Sequence, residues 1–236
     1  MLLLALDTCD SRGSMALLRD FTVQACLTHP QGQEYSSWLI PAAEAILRLG
    51  GVTHAEIEGY VVASGPGSFT GVRVGLTTVK AWSEAFDKPI ASVSRLEALA
   101  SLATSSAALV AAFMDAHRGQ VFGGLYCRQG GELQRIEEEM VAPPSAFLDW
   151  VSTRAAAGQH IGWISLDPQI LAAQPRWKER EALGERVELF SQELAPHIGR
   201  LGLRQFAAGK ITTALQLDAN YVRRSDAELF WKKSRS

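Results

Sequence analysis

The stretch from Gly59 to Phe86 constrains the fold more than any other part of the sequence. It begins with a short apolar run, Tyr60 to Ala63, breaks at Ser64-Gly65-Pro66-Gly67-Ser68, and resumes as a helical pattern at Gly71. This order predicts a strand, a tight turn and a helix. The turn then lies at a helix N-terminus, where unpaired backbone N–H groups and the helix dipole favour an anion or a closely packed neighbour.

Two interpretations of this glycine turn (Gly65, Gly67 and Gly71) follow from its spacing. It does not match a Walker loop, because no Lys-Ser or Lys-Thr follows the last glycine. It does not match the dinucleotide fingerprint, because Thr70 stands where the third glycine belongs. We favour a packing turn over direct phosphate binding, with a positive φ at Gly65 or Gly67 and a close helix approach at Gly71.

Composition narrows the class of protein. The 236 residues are 47% hydrophobic and 20% charged, which is typical of a globular chain with one large or two modest domains. A net charge of −2 argues against a dedicated nucleic-acid-binding protein, which would carry a strongly basic face. Three cysteines without paired spacing indicate a reducing compartment, and the apolar run before Asp7 is too short for a signal peptide or a spanning helix. We therefore expect a cytoplasmic protein without membrane contact.

A pattern of strand, Asp, turn and two further strands occurs twice. Leu2–Leu6 ends at Asp7 in the first copy, and Ala108–Met114 ends at Asp115 in the second. The repetition predicts an α/β protein of two duplicated domains, residues 1–104 and 105–236, each a mixed sheet flanked by helices. We expect the C-terminal helix and tail to return to the first domain.

The remaining elements follow from periodicity and from glycine, proline and serine breaks. Residues 168–185 are poorly periodic and receive no assignment. The predicted helices are Tyr35–Leu49, Arg95–Ser105, Ser145–Arg154 and Pro196–Ala208, and the predicted strands are Ser14–Leu18, Thr22–Leu27, Pro89–Val93, Gln120–Cys127, Glu132–Val141, Gln159–Ile164 and Val187–Phe190.

Two helices carry more apolar or small residues than one buried face requires. The helix Tyr35–Leu49 has a second apolar stripe, and the helix after the glycine turn has small side chains spaced four apart, which lets another helix approach closely. Two interpretations stay open: the stripes bind a partner protein, or the same chain covers them. The candidate partner-binding residues are Ile40, Ala43, Leu47, Val74, Thr77, Thr78, Ala81 and Ala85.

Asp7, Thr8 and Asp115 are candidates for phosphate binding. Actin-like and Hsp70-like ATPases hold nucleotide between two domains with an Asp at each first turn, so Asp7 and Asp115 would bind a metal–phosphate. The alternative is that each Asp caps its own turn through a side-chain hydrogen bond. The histidines are scattered, no nucleophile arrangement follows from spacing, and no metal site is expected. The residues do not support catalysis by this chain alone.

The C-terminal tail is basic and contains interleaved aromatic residues, at Leu217–Arg224 and Phe230–Lys233. One interpretation is contact with an RNA backbone or an acidic partner. We favour a solvated tail with its aromatic side chains against the body, because the overall charge provides no wider basic field.

Taken together, these segments resemble the TsaB family, formerly called YeaZ. The resemblance covers nearly the whole length and is weakest over residues 168–193. Its most specific string is Gly-Pro-Gly-Ser-Phe-Thr-Gly-x-Arg between a strand and a helix. The matching segments are Leu4-Ala5-Leu6-Asp7-Thr8, Ser64-Gly65-Pro66-Gly67-Ser68-Phe69-Thr70-Gly71-Val72-Arg73, Met114-Asp115-Ala116, Gly119-Gln120-Val121, Tyr221-Val222-Arg223 and Trp231-Lys232-Lys233.

The resemblance implies a degenerate actin-like fold in which Asp7, Thr8 and Asp115 are a vestigial phosphate loop. It implies a non-catalytic scaffold that binds the catalytic subunit TsaD and works with the ATPase TsaE. The complex transfers threonylcarbamoyl from its adenylate to the adenosine beside the anticodon of tRNAs that read codons starting with A. The first two helices of the N-terminal domain would contact TsaD, and tRNA would be contacted only through the complex.

The resemblance also implies that the chain has no cofactor of its own, that ATP or ADP binds at the complex interface, and that the isolated chain is a candidate homodimer. The catalytic relative carries a metal-binding His-x-x-x-His on the helix matching Tyr35–Leu49, whereas Glu34–Leu39 contains no histidine. The competing hypothesis is an actin-like small-molecule kinase or ATPase that uses Asp7 and Asp115 with Mg-ATP. An older glycoprotease label for this superfamily finds no matching metal or nucleophile arrangement in the sequence.

Overall fold

The computed structural model describes residues 1–130, 132–156, 158–190, 193–220 and 222. These form two compact units, one within Met1–Arg95 and Glu193–Tyr221 and the other within Leu96–Gln192 and Val222–Ser236. The strands are β1 (Leu2–Asp7), β2 (Ser14–Arg19), β3 (Thr22–Thr28), β4 (Gly59–Ala63), β5 (Ile90–Val93), β6 (Leu109–Asp115), β7 (Val121–Gln129), β8 (Glu132–Arg135), β9 (Met140–Ala142), β10 (Ile161–Ser165) and β11 (Val187–Leu189). The helices are α1 (Tyr35–Gly50), α2 (Phe69–Phe86), α3 (Arg95–Ala100), α4 (Pro144–Ser152), α5 (Gln169–Ala172), α6 (Trp177–Ala182) and α7 (Ala195–Ala207), with a 3₁₀ turn at His54–Glu56.

The first unit is built on a five-stranded mixed sheet with the strand order β3-β2-β1-β4-β5. The first three strands form an antiparallel meander, while β4 and β5 run parallel to β1. Parallel neighbours need crossover connections, which α1 and α2 provide. The carboxyl ends of β1, β4 and β5 therefore share one edge, the usual position of functional groups in such sheets.

Helices cover both faces of this sheet, which explains why β1 and β4 are buried and largely apolar along their whole length. On one face, a Cβ placed on Gly202 of α7 would lie 2.4 Å from Val61. On the other face, Trp82 of α2 packs on Tyr60 with ring centroids 5.7 Å apart. Since Tyr60 and Val61 are successive strand residues, they point to opposite faces. Helix α1 contacts α2 and covers β2 and β3.

The C-terminal segment belongs to the first unit from Glu193 to Asn220. After α7 the backbone of Thr212 pairs with Ile90, and the Asn220 N–H donates to the Ser64 carbonyl oxygen at 2.8 Å. The basic residues and aromatic residues predicted to form a tail, Tyr221 and 223–236, lie outside the described residues.

The second unit contains a six-stranded sheet, in which β11-β10-β6-β7-β8 form the main path and β9 pairs with β7. Aromatic rings fill its core, where Trp163 packs on Phe147 and Trp177 with centroids 6.3 and 5.4 Å apart. The buried carboxylate of Glu185 accepts hydrogen bonds from Trp163 Nε1 at 2.7 Å and from the Ile161 N–H at 3.0 Å. Among the described residues, no helix combines the length and hydropathy needed to span a membrane.

Two predicted elements are wrong in extent, each because a side chain redirects the backbone. The helix predicted over Arg95–Ser105 ends at Ala100, since the Thr104 and Ser105 N–H groups bind the Glu188 carboxylate at 2.7 and 3.0 Å. The strand predicted over 132–141 divides into β8 and β9, and between them Glu139 is buried and accepts a 2.7 Å hydrogen bond from the Tyr126 hydroxyl.

Other boundaries differ from prediction by one or two residues, which is the ordinary uncertainty of element ends. Helix α2 begins at Phe69 rather than Gly71 because Ser68 caps it, with its hydroxyl accepting from the Gly71 N–H at 3.3 Å. The unassigned residues 168–185 contain α5 and α6, which are too short for their periodicity to be recognised.

We predict that Gly202→Val lowers the free energy of unfolding by about 1–3 kcal/mol, because the added side chain would overpack the contact between α7 and β4. Ala207→Val is the matched control, since it adds a branched side chain at an exposed position of the same helix and should change stability by less than about 0.5 kcal/mol. Urea unfolding measures both. Equal effects would show that α7 does not pack closely at Gly202.

Candidate functional site

The first candidate site is the turn between β1 and β2, which begins at Asp7. Asp7 and Thr8 are buried, and one oxygen of the Asp7 carboxylate accepts a hydrogen bond from the Cys9 N–H at 2.9 Å. This is the local turn-closing bond that the alternative interpretation of Asp7 predicted.

Arg95, the first residue of α3 and two residues beyond β5, supplies the counter-charge for this turn. Its Nε donates to the other oxygen of Asp7 at 2.9 Å, and its guanidinium lies 2.9 Å from the Asp10 carboxylate. Arg95 is 1% exposed and Asp7 is fully buried. We call Asp7, Asp10 and Arg95 the ion-pair cluster.

Arg95 was not identified from the sequence as a residue of this site. The sequence gives little indication of its role, because a single arginine after a predicted strand is common. Its meaning depends on the strand order β1-β4-β5, which brings residues 88 positions apart to the same edge.

The positive charge of Arg95 opposes the effect of burial on both carboxylates of the cluster. Burial by itself would raise the pKa of Asp10, but the Arg95 and Arg12 guanidiniums outweigh it and lower that pKa to about 2. Burial raises the pKa of Asp7 and the adjacent Arg95 opposes this effect. Burial works against the charge of Arg95, but Asp7 and Asp10 raise its pKa above the ordinary value, so the guanidinium stays charged.

The glycine turn packs against the first turn. Gly65 has a φ of +110°, a conformation that side-chain-bearing residues rarely adopt. A Cβ on Gly67 would lie 2.3 Å from the Cys9 carbonyl oxygen, and a Cβ on Gly71 would lie 2.1 Å from that of Thr8. Gly67 and Gly71 are thus required because another backbone segment occupies the adjacent space.

Hydrogen bonds join the same two segments. The Ser68 N–H donates to the Cys9 carbonyl oxygen at 2.6 Å, and the Thr8 hydroxyl donates to the Gly71 carbonyl oxygen at 2.7 Å. With the Gly71 N–H capped by Ser68, two donors near the start of α2 already have partners in the chain. This geometry favours the packing interpretation over a phosphate-binding loop.

The donor set does not fit a metal-bound nucleotide at Asp7. Both Asp7 oxygens already accept hydrogen bonds, and a neighbouring cation already balances its charge. Asp115 closes its own turn, accepting from the His117 N–H at 2.7 Å. Within the described ranges, no three His, Cys, Asp or Glu side chains are grouped to hold a metal ion.

Cys9 and Cys26 are not activated thiolates. Cys9 is buried, and burial raises its pKa well above the usual value. Cys26 is exposed, but partial burial of its thiol raises the pKa to about 11. Both thiols therefore stay protonated at neutral pH and are poor nucleophiles.

The second candidate site is the outer surface of α1 and α2, where the structure corrects two predicted residues. Ala43 and Leu47 are only 1% and 6% exposed, because α1 packs on the sheet and also contacts α2, and the two contacts need a wide apolar arc. They belong to the core of this chain and not to a free surface. Ile40, by contrast, is 52% exposed.

The predicted stripe on α2 lies mainly at the surface. Thr77, Ala81 and Ala85 are exposed, whereas Val74 and Thr78 are half-buried and joined by a 2.8 Å bond from the Thr78 hydroxyl to the Val74 carbonyl oxygen. We call Thr77, Ala81 and Ala85 the α2 stripe. Ile40 and Leu49 of α1 are also exposed, the latter to 68%, and they flank opposite edges of the buried face of that helix because nine residues separate them.

Comparisons with known proteins point to one group. The TsaD family model, described as tRNA N6-adenosine threonylcarbamoyltransferase, matches residues 24–184. The tRNA threonylcarbamoyladenosine biosynthesis protein TsaB of Bacillus subtilis is 38% identical over 136 residues, which cover 58% of this chain and 59% of that protein. The Escherichia coli protein of the same name is 28% identical over 99% of this chain and 98% of its own length.

Solved structures that resemble this chain agree with the sequence comparisons. YeaZ from Pseudomonas aeruginosa superposes with a TM-score of 0.71 and 27% identity, over 92% of this chain and 98% of that one. An activator of 2-hydroxyisocaproyl-CoA dehydratase from Clostridium difficile, solved with bound ADPNP, has a TM-score of 0.52 at 8% identity, over 89% of this chain and 97% of that one. The second likeness concerns the fold alone and confirms the predicted actin-like ATPase architecture.

We predict that Arg95→Met lowers the free energy of unfolding by about 3–5 kcal/mol, because Asp7 would remain buried without its counter-charge. The double variant Asp7→Asn, Arg95→Met removes both charges and should lose less than the single Arg95 variant. Urea unfolding of the wild type, both single variants and the double variant measures the coupling. Additive losses would contradict the ion pair.

The lowered pKa of Asp10 predicts that the free energy of unfolding decreases at acidic pH. A folded-state pKa of about 2 against the ordinary 3.8 contributes about 2 kcal/mol that is present above about pH 5 and lost as the pH falls toward 2. The stability difference between wild type and Asp10→Asn should therefore shrink from pH 5 to pH 2. Glu44→Gln, which removes an exposed carboxylate from α1, should give a difference that varies much less. A constant difference for Asp10→Asn would contradict the assigned pKa.

Proposed function

We propose a function from one premise: the chain belongs to the TsaD family of tRNA N6-adenosine threonylcarbamoyltransferases and, within it, to the TsaB (YeaZ) proteins. It is a subunit of the machinery that makes threonylcarbamoyladenosine in tRNA. It acts as a non-catalytic scaffold that binds and supports a TsaD-like catalytic subunit, which transfers threonylcarbamoyl from its adenylate to the adenosine next to the anticodon.

The observation that carries this proposal is the self-contained first turn. In an actin-like kinase or ATPase the Asp7 position would serve a metal-bound nucleotide, but here its carboxylate is buried and bound to Arg95 and to the Cys9 N–H. A carboxylate that is fully buried against a guanidinium is not accessible to a metal ion. The geometry therefore supports a binding role over the kinase or ATPase hypothesis.

The α2 stripe supports helix-mediated binding. Ala and Thr side chains lose little rotamer freedom when buried, and they allow a partner helix to approach the backbone of α2 closely. Ile40 on the neighbouring helix is 52% exposed and would add apolar area to a contact that includes α1.

The wider assembly follows from the same proposal. A TsaE-like ATPase joins the complex, tRNA is contacted only through the catalytic subunit, and ATP or ADP binds at the subunit interface and not on this chain alone. In the absence of its partner the chain pairs with a second copy.

We predict that Ala81→Glu weakens binding to the TsaD-like subunit by at least about a hundredfold while the chain stays folded. The new carboxylate would be buried without a counter-charge, which costs about 3 kcal/mol or more. Ala207→Glu makes the same change at an exposed position of α7 and should bind normally. Calorimetric titration with the subunit from the same organism measures both, and circular dichroism checks folding.

Unchanged binding of the folded Ala81→Glu protein would exclude the α2 stripe as the interface. Absence of binding by the wild type would contradict the scaffold proposal itself. Tight Mg-ATP binding by the isolated wild-type chain, lost in Asp7→Ala, would instead favour the kinase or ATPase hypothesis.

A further inference from the structure

We infer that Arg95 is a positioning residue. By holding the turn between β1 and β2, it fixes the positions of α1 and α2 relative to each other, and so keeps their outer surface in the arrangement that the partner binds. This inference rests on the proposed function, because it concerns the same surface. Arg95 itself is buried, so it acts only through the residues it holds.

The first link runs from Arg95 to the turn between β1 and β2. One guanidinium binds Asp7 at the beginning of this turn and Asp10 in its middle, each at 2.9 Å. Two attachment points separated by two residues fix the path of the backbone between them. A metal ion could provide the same restraint, but here a protein side chain does so permanently.

The second link runs from the turn to α1. Tyr35, the first residue of α1, donates a hydrogen bond from its hydroxyl to the Asp10 carbonyl oxygen. The Tyr35 ring fills the space beside Gly13 and stacks on the buried His29 ring with centroids 4.0 Å apart. The N-terminus of α1 is therefore attached to the same residue whose carboxylate Arg95 holds.

The third link runs from the turn to α2. Thr8 and Cys9 bind the Gly71 carbonyl oxygen and the Ser68 N–H, and the backbones meet at glycine positions where a Cβ has no room. The backbone N–H of residue 95 also donates to the Gly65 carbonyl oxygen at 2.8 Å, a bond that does not depend on the arginine side chain.

Both helices are thus attached at their N-termini to one short turn, and Arg95 closes that turn. A buried charge that bonds in a fixed geometry can specify one arrangement even where it adds little stability. A surface that is already ordered before binding loses less conformational entropy when the partner binds. Loss of Arg95 should therefore reduce affinity for the partner even among molecules that remain folded.

The test compares partner affinity at matched stability. Arg95→Met and the milder Asp10→Asn loosen the turn, whereas Leu148→Ala removes a fully buried side chain from the core of the second unit and serves as the equally destabilised control. Dissociation constants for the TsaD-like subunit are measured by calorimetric titration at a temperature where unfolding curves show every variant to be folded. Arg95→Lys tests rescue, because it restores the charge with fewer donors.

We expect dissociation constants at least tenfold weaker for Arg95→Met, weaker to a smaller extent for Asp10→Asn, partly restored for Arg95→Lys, and unchanged for Leu148→Ala. Wild-type affinity in both folded Arg95→Met and Asp10→Asn would overturn the inference. So would an equal loss in Leu148→Ala, since stability alone would then explain it. If Arg95→Met does not fold, Asp10→Asn decides the matter. A wild-type chain that fails to bind would refute the proposed function rather than the role of Arg95 within it.

Discussion

The buried pairing of Arg95 with Asp7 and Asp10 is the interaction on which the rest of the first unit depends. Three charged groups meet just beyond the ends of the parallel strands, with Asp7 and Arg95 buried and Asp10 partly exposed, and Arg95 compensates the charge of both carboxylates. Such a cluster tolerates few alternative backbone paths, because any displacement leaves an uncompensated charge in a medium of low polarity. The turn, the starts of two helices and the glycine segment are all arranged around it.

This arrangement is consistent with the proposed binding role, because it leaves no open acidic group at the first turn of an actin-like fold. In that architecture the carboxyl edge of the sheet is available to a ligand. Here internal contacts occupy much of the first unit's edge: Arg95 neutralises the acidic turn, and the backbone of that turn fills the space in front of Gly67 and Gly71. The outer surface of α1 and α2, in contrast, is accessible, and small and apolar side chains are exposed there.

Patterns of neighbouring residues in the sequence predicted many of the secondary-structure elements. The glycine turn, the helix after it and the strand before it follow from neighbouring residues, so their positions agree with the structure to within a few residues. The order of the strands is not a local property, and without it the meaning of Arg95 could not be derived. Ala43 and Leu47 were misjudged for a related reason: periodicity shows that an apolar stripe exists but not whether one or two neighbours cover it.

The central claim is that this chain functions through the exposed surface of α1 and α2 and not through its first turn. Hydrogen–deuterium exchange of the chain, alone and with the TsaD-like subunit from the same organism, tests it most directly. Our account predicts new protection of amides in α1 and α2, and no comparable change in the chain alone when Mg-ATP is added. Protection confined to the second unit, or protection of the first turn by Mg-ATP without the partner, would contradict it.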